Sequence, residues 1–493
     1  MFIFYFFIFF MIWFLIETLF IIILFVLLCP FFTRKTKQFW SMSIYAVLMG
    51  CMLFFTFGGL RFCSLLNLTN LFYTHINFVL FGFPIVFILD NLTCFFCFLT
   101  LFLAFICMLV VWNSPNYQNL SFFILLWILE FSLFHTFTSL NLLSFYVFFE
   151  ISLVPMILFI FFWGSRQRKV HATYVFFFYT VFGSFFLLVG LLYLYLITNT
   201  LLISNLFYLK LPYNFQLFLW IFFFIGFGVK VPLVPLHTWL PEAHVEAPTI
   251  GSIILAGLLL KIGTFGMIRF IFPYLNFASL TFQPLIFSVS IVSIYHASLI
   301  ALRQFDLKKI IAYSSIAHMG FVILGLFSFS IYGFLGSLFI MFSHGIVASA
   351  LFFLIGIIYD RYKSKNLFDY SGLATIMPIF IFFLFFFILS NLSFPGTSNF
   401  VGEFVTLIGL SETNFYVSLL TTLSIIFTSV YSIWIFNRIS FGVYNLQLIG
   451  FSDLNKLEFY ICFILFCFTL FLGLNPNLFF FVIDYIPFLY IIK

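Results

Sequence analysis

The sequence predicts an all-α polytopic membrane protein of about fourteen transmembrane helices, arranged as two inverted five-helix repeats, each with one Pro-broken helix. Three observations carry this reading. First, 65% of the 493 residues are apolar and only 7% charged, with a mean hydropathy of +1.25. Soluble domains run near 45–50% apolar and about 25% charged. Second, the apolar residues fall in runs of the roughly 20 needed to cross a bilayer. Third, the basic residues gather on alternate connections. A soluble enzyme, a nucleic-acid binder and a disordered scaffold are thereby excluded, because no water-soluble globule of this size hides so much apolar surface. The net charge of +6 does not imply a polyanionic partner, since charge in a membrane protein is read loop by loop.

Breaks at Pro, Gly and charge clusters place the spans near Leu15, Leu48, Leu103, Glu130, Ser152, Phe185, Gly228, Leu260, Ile291, His318, Gly345, Phe385 continuing to Leu410, Ile426 and Leu465. Residues 61–83 fit an extramembrane loop or a hairpin. The first apolar run is too long for a signal-peptide core and lacks a small-residue cleavage site, so it reads as a span. Connections after spans 1, 5, 9, 11 and 13 hold fourteen of the twenty Lys and Arg, from Arg34 to Lys456, and the opposite side holds Arg61, Lys210 and Arg269. This asymmetry puts the basic loops in the matrix, or the cytoplasm of a bacterium, and both termini on the other side. One membrane domain is expected. It divides into N-terminal helices (1–118), repeat one (119–272), repeat two (273–438) and a last helix with its tail (439–493).

The repeats are read from two interrupted spans. One carries Lys230 beside Pro232 and Pro235; the other carries Pro395 before Glu403. They lie five spans apart, and an odd offset reverses direction through the membrane. Paired broken helices of opposite orientation mark an inverted repeat with the functional site between its halves. Prolines also remove amide donors and free carbonyls for water or ions.

Phe accounts for 89 residues. Lipid-facing positions accept Leu, Ile, Val or Phe, so an A/T-rich codon bias of the kind organelle genomes carry is free to choose among them. The eight Cys lie in apolar runs, and the Cys94–Cys97 pair reads as buried thiols. No dinucleotide, phosphate-loop, haem-attachment or iron–sulfur motif is present.

Ionisable residues inside spans are costly, about 2.5–3.5 kcal/mol each on insertion scales, and mark function by default. Glu150, Lys230, Lys261 and Glu403 are the candidates for proton transfer. A lysine kept from water gives up its proton near neutral pH, and a nearby carboxylate restores it; a guanidinium does not take part in such exchange. His318 and His344, near span centres, fit relay stations, because imidazole accepts and donates protons near pH 7. The expected course runs from Lys230 to Lys261, through His318 and His344, to Glu403, all near the membrane midplane. His237, Glu242 and His244, where span seven leaves the membrane, and Glu130 within span four, are candidates for proton uptake. His237 and His244 lack the further ligands of a metal site, so no metal is expected. Glu17 reads as structural. An electron carrier with His318 and His344 as haem ligands is the competing reading of the same residues.

Residues 230–249, KVPLVPLHTWLPEAHVEAPT, resemble the antiporter-like subunits of respiratory complex I, as do 255–263 (LAGLLLKIG), 302–309 (LRQFDLKK), 312–320 (AYSSIAHMG) and 399–404 (NFVGEF). The resemblance spans roughly 122–438. It implies the complex I fold and proton translocation driven by NADH oxidation and ubiquinone reduction in other subunits. Glu150 becomes the coupling carboxylate, Lys230 the broken-helix lysine, Lys261 the central lysine and Glu403 the exit-side acid. Glu403 separates the chain from the chain 2 and chain 5 paralogues, which carry Lys there and are the expected neighbours. Phe305 departs from the family, where a small polar residue is usual. The resemblance further implies the inner mitochondrial membrane, lipid contacts, no nucleic-acid partner and no cofactor on this chain, with NADH, FMN, iron–sulfur clusters and ubiquinone bound elsewhere. Cation/proton antiporters of the Mrp type share the motifs and are the alternative.

Overall fold

The computed structural model describes residues 72–80, 83–114, 119–206, 211–443, 452–477 and 479–480. The spans expected near Leu15 and Leu48, Glu17 and the Lys210 loop lie outside them. The ambiguous stretch ends in an antiparallel hairpin, β1 (Phe72–Leu80) with β2 (Phe83–Leu89). It is joined to the helices where Leu140 N donates to Val86 O at 2.8 Å.

The helices are α1 (Asn91–Asn113), α2 (Leu120–Thr138), α3 (Leu142–Trp163), α4 (Lys169–Thr198), α5 (Tyr213–Lys230), α6 (Trp239–Glu246), α7 (Thr249–Tyr274), α8 (Gln283–Arg303), α9 (Leu307–Leu326), α10 (Ile331–Tyr362), α11 (Pro378–Asn391), α12 (Ser398–Thr413), α13 (Phe415–Ser440) and α14 (Lys456–Leu474). Eleven of them are long and apolar enough to span a membrane. With α11 and α12 counted as one interrupted span, all twelve spans expected within the described residues are present. Polar residues at the helix starts explain several boundaries. Asp90 and Thr93 form a capping box on α1, Asn455 and Glu458 one on α14, and the Asn414 side chain accepts from Tyr416 N and Val417 N.

The same packing order occurs twice. In α2 to α7, α2 packs on α3, α3 on α4, α4 on the broken pair α5 and α6, and α7 closes against α5 and α2. In α8 to α13, α8 packs on α9, α9 on α10, α10 on the broken pair α11 and α12, and α13 closes against both halves and α8. The two sets meet where α7 lies against α10 and α6 against α9. α7 and α10 are buried along their apolar length, whereas α3, α4, α8, α13 and α14 each leave more than half of theirs outward. A residue in the middle of α7 or α10 is thus shielded on every side, and the outer helices carry the Phe-rich face expected against lipid.

Close approach in repeat two depends on missing side chains. A Cβ on Gly402 of α12 would sit 2.6 Å from Ile340 Cγ1 and 3.0 Å from the Ile340 amide nitrogen of α10. Small residues let helix backbones meet where lipid offers no hydrophobic drive for association.

The basic connections meet at one end of the bundle. Arg166 lies 3.6 Å from Asp306, Lys365 bonds Ser165, Arg438 lies over the Phe368 ring at 5.1 Å, and Arg361 pairs with Glu458 at 2.6 Å. Arg269, at the far end of α7, pairs with Asp90 at 2.5 Å. Burial would raise the Asp90 carboxyl, but Arg269 and the Thr93 hydrogen bonds outweigh it and hold it below the usual range. Two of the basic residues assigned to loops are not surface charges. Lys308 is 2% exposed and Lys365 fully buried, and they donate to the Ala247 and Val245 carbonyls at the C-terminal end of α6. Cations there complement the helix dipole. Glu246, also buried, accepts from the Arg166 amide at 3.0 Å. Burial pushes the Lys365 ammonium down to about 8, with Glu246 the largest opposing pull.

Candidate functional site: a buried Lys–His–His–Glu line

Lys261 sits in the middle of α7 and is fully buried. π-helical turns at Leu255–Leu259 and Met267–Ile271 flank it. The Lys261 ammonium donates to the Ala256 carbonyl, one π turn back, and lies 2.9 Å from His344 Nδ1 of α10. The rings of His344 and His318 are 5.4 Å apart between centroids. His318 Nδ1 lies 2.8 Å from Glu403 Oε1. All four residues are at most 4% exposed. The helices supplying them are α7, α10, α9 and α12, so the line crosses from repeat one into repeat two.

The order differs from the sequence expectation: His344, not His318, meets Lys261, and His318 meets Glu403. Chain order does not report which helix is central; α10 is, and α9 lies to one side. Of the two histidines in the haem-ligand reading, His344 keeps its Nε2 without a hydrogen-bond partner, whereas His318 keeps neither nitrogen free. Both His318 nitrogens are engaged, Nδ1 by Glu403 and Nε2 by Asn391 Oδ1 at 3.1 Å, and His344 Nδ1 faces Lys261.

Lys230 is the last residue of α5, 2% exposed, with its ammonium 4.5 Å from the Phe149 ring centroid. Beyond it Pro232 and Pro235 break the span, and the freed Val229 carbonyl accepts from Trp239 Nε1 at 2.9 Å. Glu150 on α3 is half-buried. Its Oε1 has no hydrogen-bond partner, and Lys230 is the cation acting on it, without direct ion-pair contact. The helices of Lys230 and Lys261 touch: a Cβ on Gly263 would lie 3.1 Å from Lys230 Cβ. The second break, at 392–397, contains Pro395, and Gly473 of α14 packs onto the Gly396 carbonyl there.

The residues expected to take up protons point in three directions. Glu242 is partly exposed and pairs with Lys309 at 2.8 Å. His237 faces His296, with ring centroids 5.0 Å apart. His244 is fully buried, stacked on Phe352 at 4.4 Å, with neither nitrogen hydrogen-bonded; the charges of Lys308 and Lys261 act on it. Of this group, His244 alone lies beside the central line. Glu130 lies away on α2, facing Cys107 of α1.

Sequence reasoning missed Asn391, Tyr431 and Lys308. Tyr431 of α13 is buried between Ser314 and Asn391 and close to Glu403. Lys308 had a legible signal, because residues 308, 311, 315 and 318 share one helical face with His318. No group of three His, Cys, Asp or Glu able to hold a metal occurs among the described residues.

Residues 139–428 match the family model described as NADH:quinone oxidoreductase/Mrp antiporter, TM. NADH-ubiquinone oxidoreductase chain 4 of Acanthamoeba castellanii is 52% identical over 401 residues, 81% of this chain and 80% of that one. A chain of respiratory complex I from Thermus thermophilus with bound NADH superposes with a TM-score of 0.76 at 27% identity, over 91% of this chain and 98% of that one. A chain of the Mrp complex from Dietzia sp. gives a TM-score of 0.83 at 18% identity, over 91% and 92%, a likeness of fold alone. The family match over more than half the chain, the identity to the Acanthamoeba protein and the shared membrane-arm fold place this multi-pass chain in the NADH-ubiquinone oxidoreductase chain 4 family of complex I subunits.

Proposed function

We propose that this chain translocates protons across the inner mitochondrial membrane as a subunit of H+-translocating NADH:ubiquinone reductase. The observation that carries the proposal is the run of exchangeable groups from Lys261 through His344 and His318 to Glu403, with hydrogen-bond contacts of 2.9 and 2.8 Å at its two ends and the two imidazole rings 5.4 Å apart between centroids in its middle. Nothing else in a fully buried bundle interior calls for such a run. Glu150 stabilises the charged form of Lys230. When that support weakens, Lys230 passes its proton on towards Lys261, and the two imidazoles carry it to Glu403. His244, between Lys308 and Lys261, refills the line from the basic-loop end, and Glu403 discharges on the opposite side. The residues form functional units at 119–272 and 273–438, preceded by 1–118 and followed by 439–493. The chain binds no cofactor of its own, and the chain 2 and chain 5 paralogues and lipid cover its outward faces.

The test is the ratio of protons pumped to NADH oxidised in vesicles reconstituted with the assembled complex. Lys261→Met removes the exchangeable proton, and Lys261→Arg keeps the charge but does not release it. Both should lower the ratio while NADH oxidation survives at least in part. A wild-type ratio in Lys261→Arg would overturn the deprotonating lysine.

A further inference from the structure

The two halves of the second broken span hold opposite nitrogens of one imidazole. Asn391 is the last residue of α11 and Glu403 lies one turn into α12, with the break at 392–397 between them. His318 Nε2 lies 3.1 Å from Asn391 Oδ1, and Nδ1 lies 2.8 Å from Glu403 Oε1. The other groups facing this pair are His344 from α10, with ring centroids 5.4 Å from those of His318, and Tyr431 from α13, beside Asn391 and Glu403.

An amide oxygen only accepts, so the Asn391 contact puts a proton on Nε2. A neutral imidazole has one N–H. With it on Nε2, Nδ1 is a bare lone pair facing an oxygen at 2.8 Å. A carboxylate there would set acceptor against acceptor. The contact closes only when one further proton lies between the two atoms, as imidazolium with carboxylate or as neutral imidazole with carboxylic acid. The proton count is the same either way.

We infer that Asn391 is a positioning residue that fixes the His318 tautomer and so makes the His318–Glu403 pair a one-proton store, closed when loaded and open when empty. This rests on the proton-relay reading. Loading places one proton between Nδ1 and Oε1, given up by the Lys261–His344 side. Unloading passes it from Glu403 to water on the opposite side, and no other bond is made or broken. Because Asn391 and Glu403 belong to different half-helices, loading also draws α11 and α12 onto one ring, and emptying releases them. Without the amide oxygen, His318 is free to carry its single proton on Nδ1 and donate it to the carboxylate. The pair then stays closed when empty, and occupancy no longer sets the contact.

The experiment compares three substitutions in the reconstituted complex, with assembly and NADH oxidation checked in each. Asn391→Leu keeps the volume and removes the acceptor; the proton-to-NADH ratio should fall as far as in Lys261→Met. Asn391→Asp keeps the acceptor. It should retain pumping, with the acid limb of its pH profile moved to higher pH, because the added carboxylate holds the proton on His318 more tightly. If Asn391→Leu does not assemble, Asn391→Ala and Asn391→Ser make the same contrast. A wild-type ratio and pH profile in Asn391→Leu would overturn the inference. So would equal failure of the Asp and Leu variants, which would mean that the amide donates to Nε2. A wild-type ratio in Lys261→Met would instead sink the relay reading itself.

Discussion

Gly402→Ala adds one methyl group, alters no titratable residue, and should still stop the relay. The new Cβ would lie 2.6 Å from Ile340 Cγ1, 3.0 Å from Ile340 N and 3.3 Å from Ile340 Cα. The side-chain contact is relieved by a rotamer change, but the amide is backbone. Restoring an ordinary separation of about 3.5–4.0 Å moves α12 off α10 by about 0.5–1 Å. Glu403 follows Gly402 on that helix, so its 2.8 Å contact with His318 stretches to about 3.3–3.8 Å, at or past the limit of a hydrogen bond. Stability changes less. Overpacking costs about 1–3 kcal/mol, offset by about 1 kcal/mol of helix propensity gained by Ala over Gly. Assembly and NADH oxidation should therefore persist while the proton-to-NADH ratio falls. Adding Ile340→Ala removes the contact at Cγ1 but leaves the one at the amide, so the ratio should stay low in the double variant. A wild-type ratio in Gly402→Ala would show that the relay does not depend on this helix separation.

Two further outcomes test the surroundings. Lys363 has 60% of its side chain exposed, whereas Lys365 is buried and donates to Val245 O. An amine-directed reagent applied from the basic-loop side at pH 8.5 should modify Lys363 and spare Lys365, although Lys365, held near 8, is largely neutral there; equal labelling would refute its burial. The Glu242–Lys309 pair, 31% and 20% exposed, is worth under about 1 kcal/mol as a surface ion pair. Glu242→Gln should leave the pumping ratio unchanged, and a fall comparable to that of Lys261→Met would give Glu242 the uptake role assigned here to His244.

Spans and charges were legible because each leaves a one-dimensional mark. A run of apolar residues has a length, and Lys261 in LLLKIG is conspicuous by its charge alone. Contacts leave no such mark. His344 precedes His318 in the line because α10 is central, a fact of packing order. Asn391 matters because a helix stops there with its amide turned towards α9; an Asn in an apolar run is otherwise an ordinary packing residue. Lys365 read as a loop charge because nothing in residues 363–366 says that the loop folds inward onto the end of α6. Glu242 and His244, two positions apart on one short helix, point to opposite environments, which the helical period anticipates and the motif string conceals.

The π turns on both sides of Lys261 have a mechanical consequence. A π turn takes up one residue more than an α turn, and one residue corresponds to about 100° of rotation about the helix axis. The segment Leu260–Gly266 is thus a short rotor between two slack turns. Winding the first turn down to an α turn, with the second widening by one residue beyond its present π turn, would swing Lys261 through about 100°, away from His344, with the ends of α7 stationary. A lysine mounted in this way would change partner by torsion of the backbone alone, with no helix displaced.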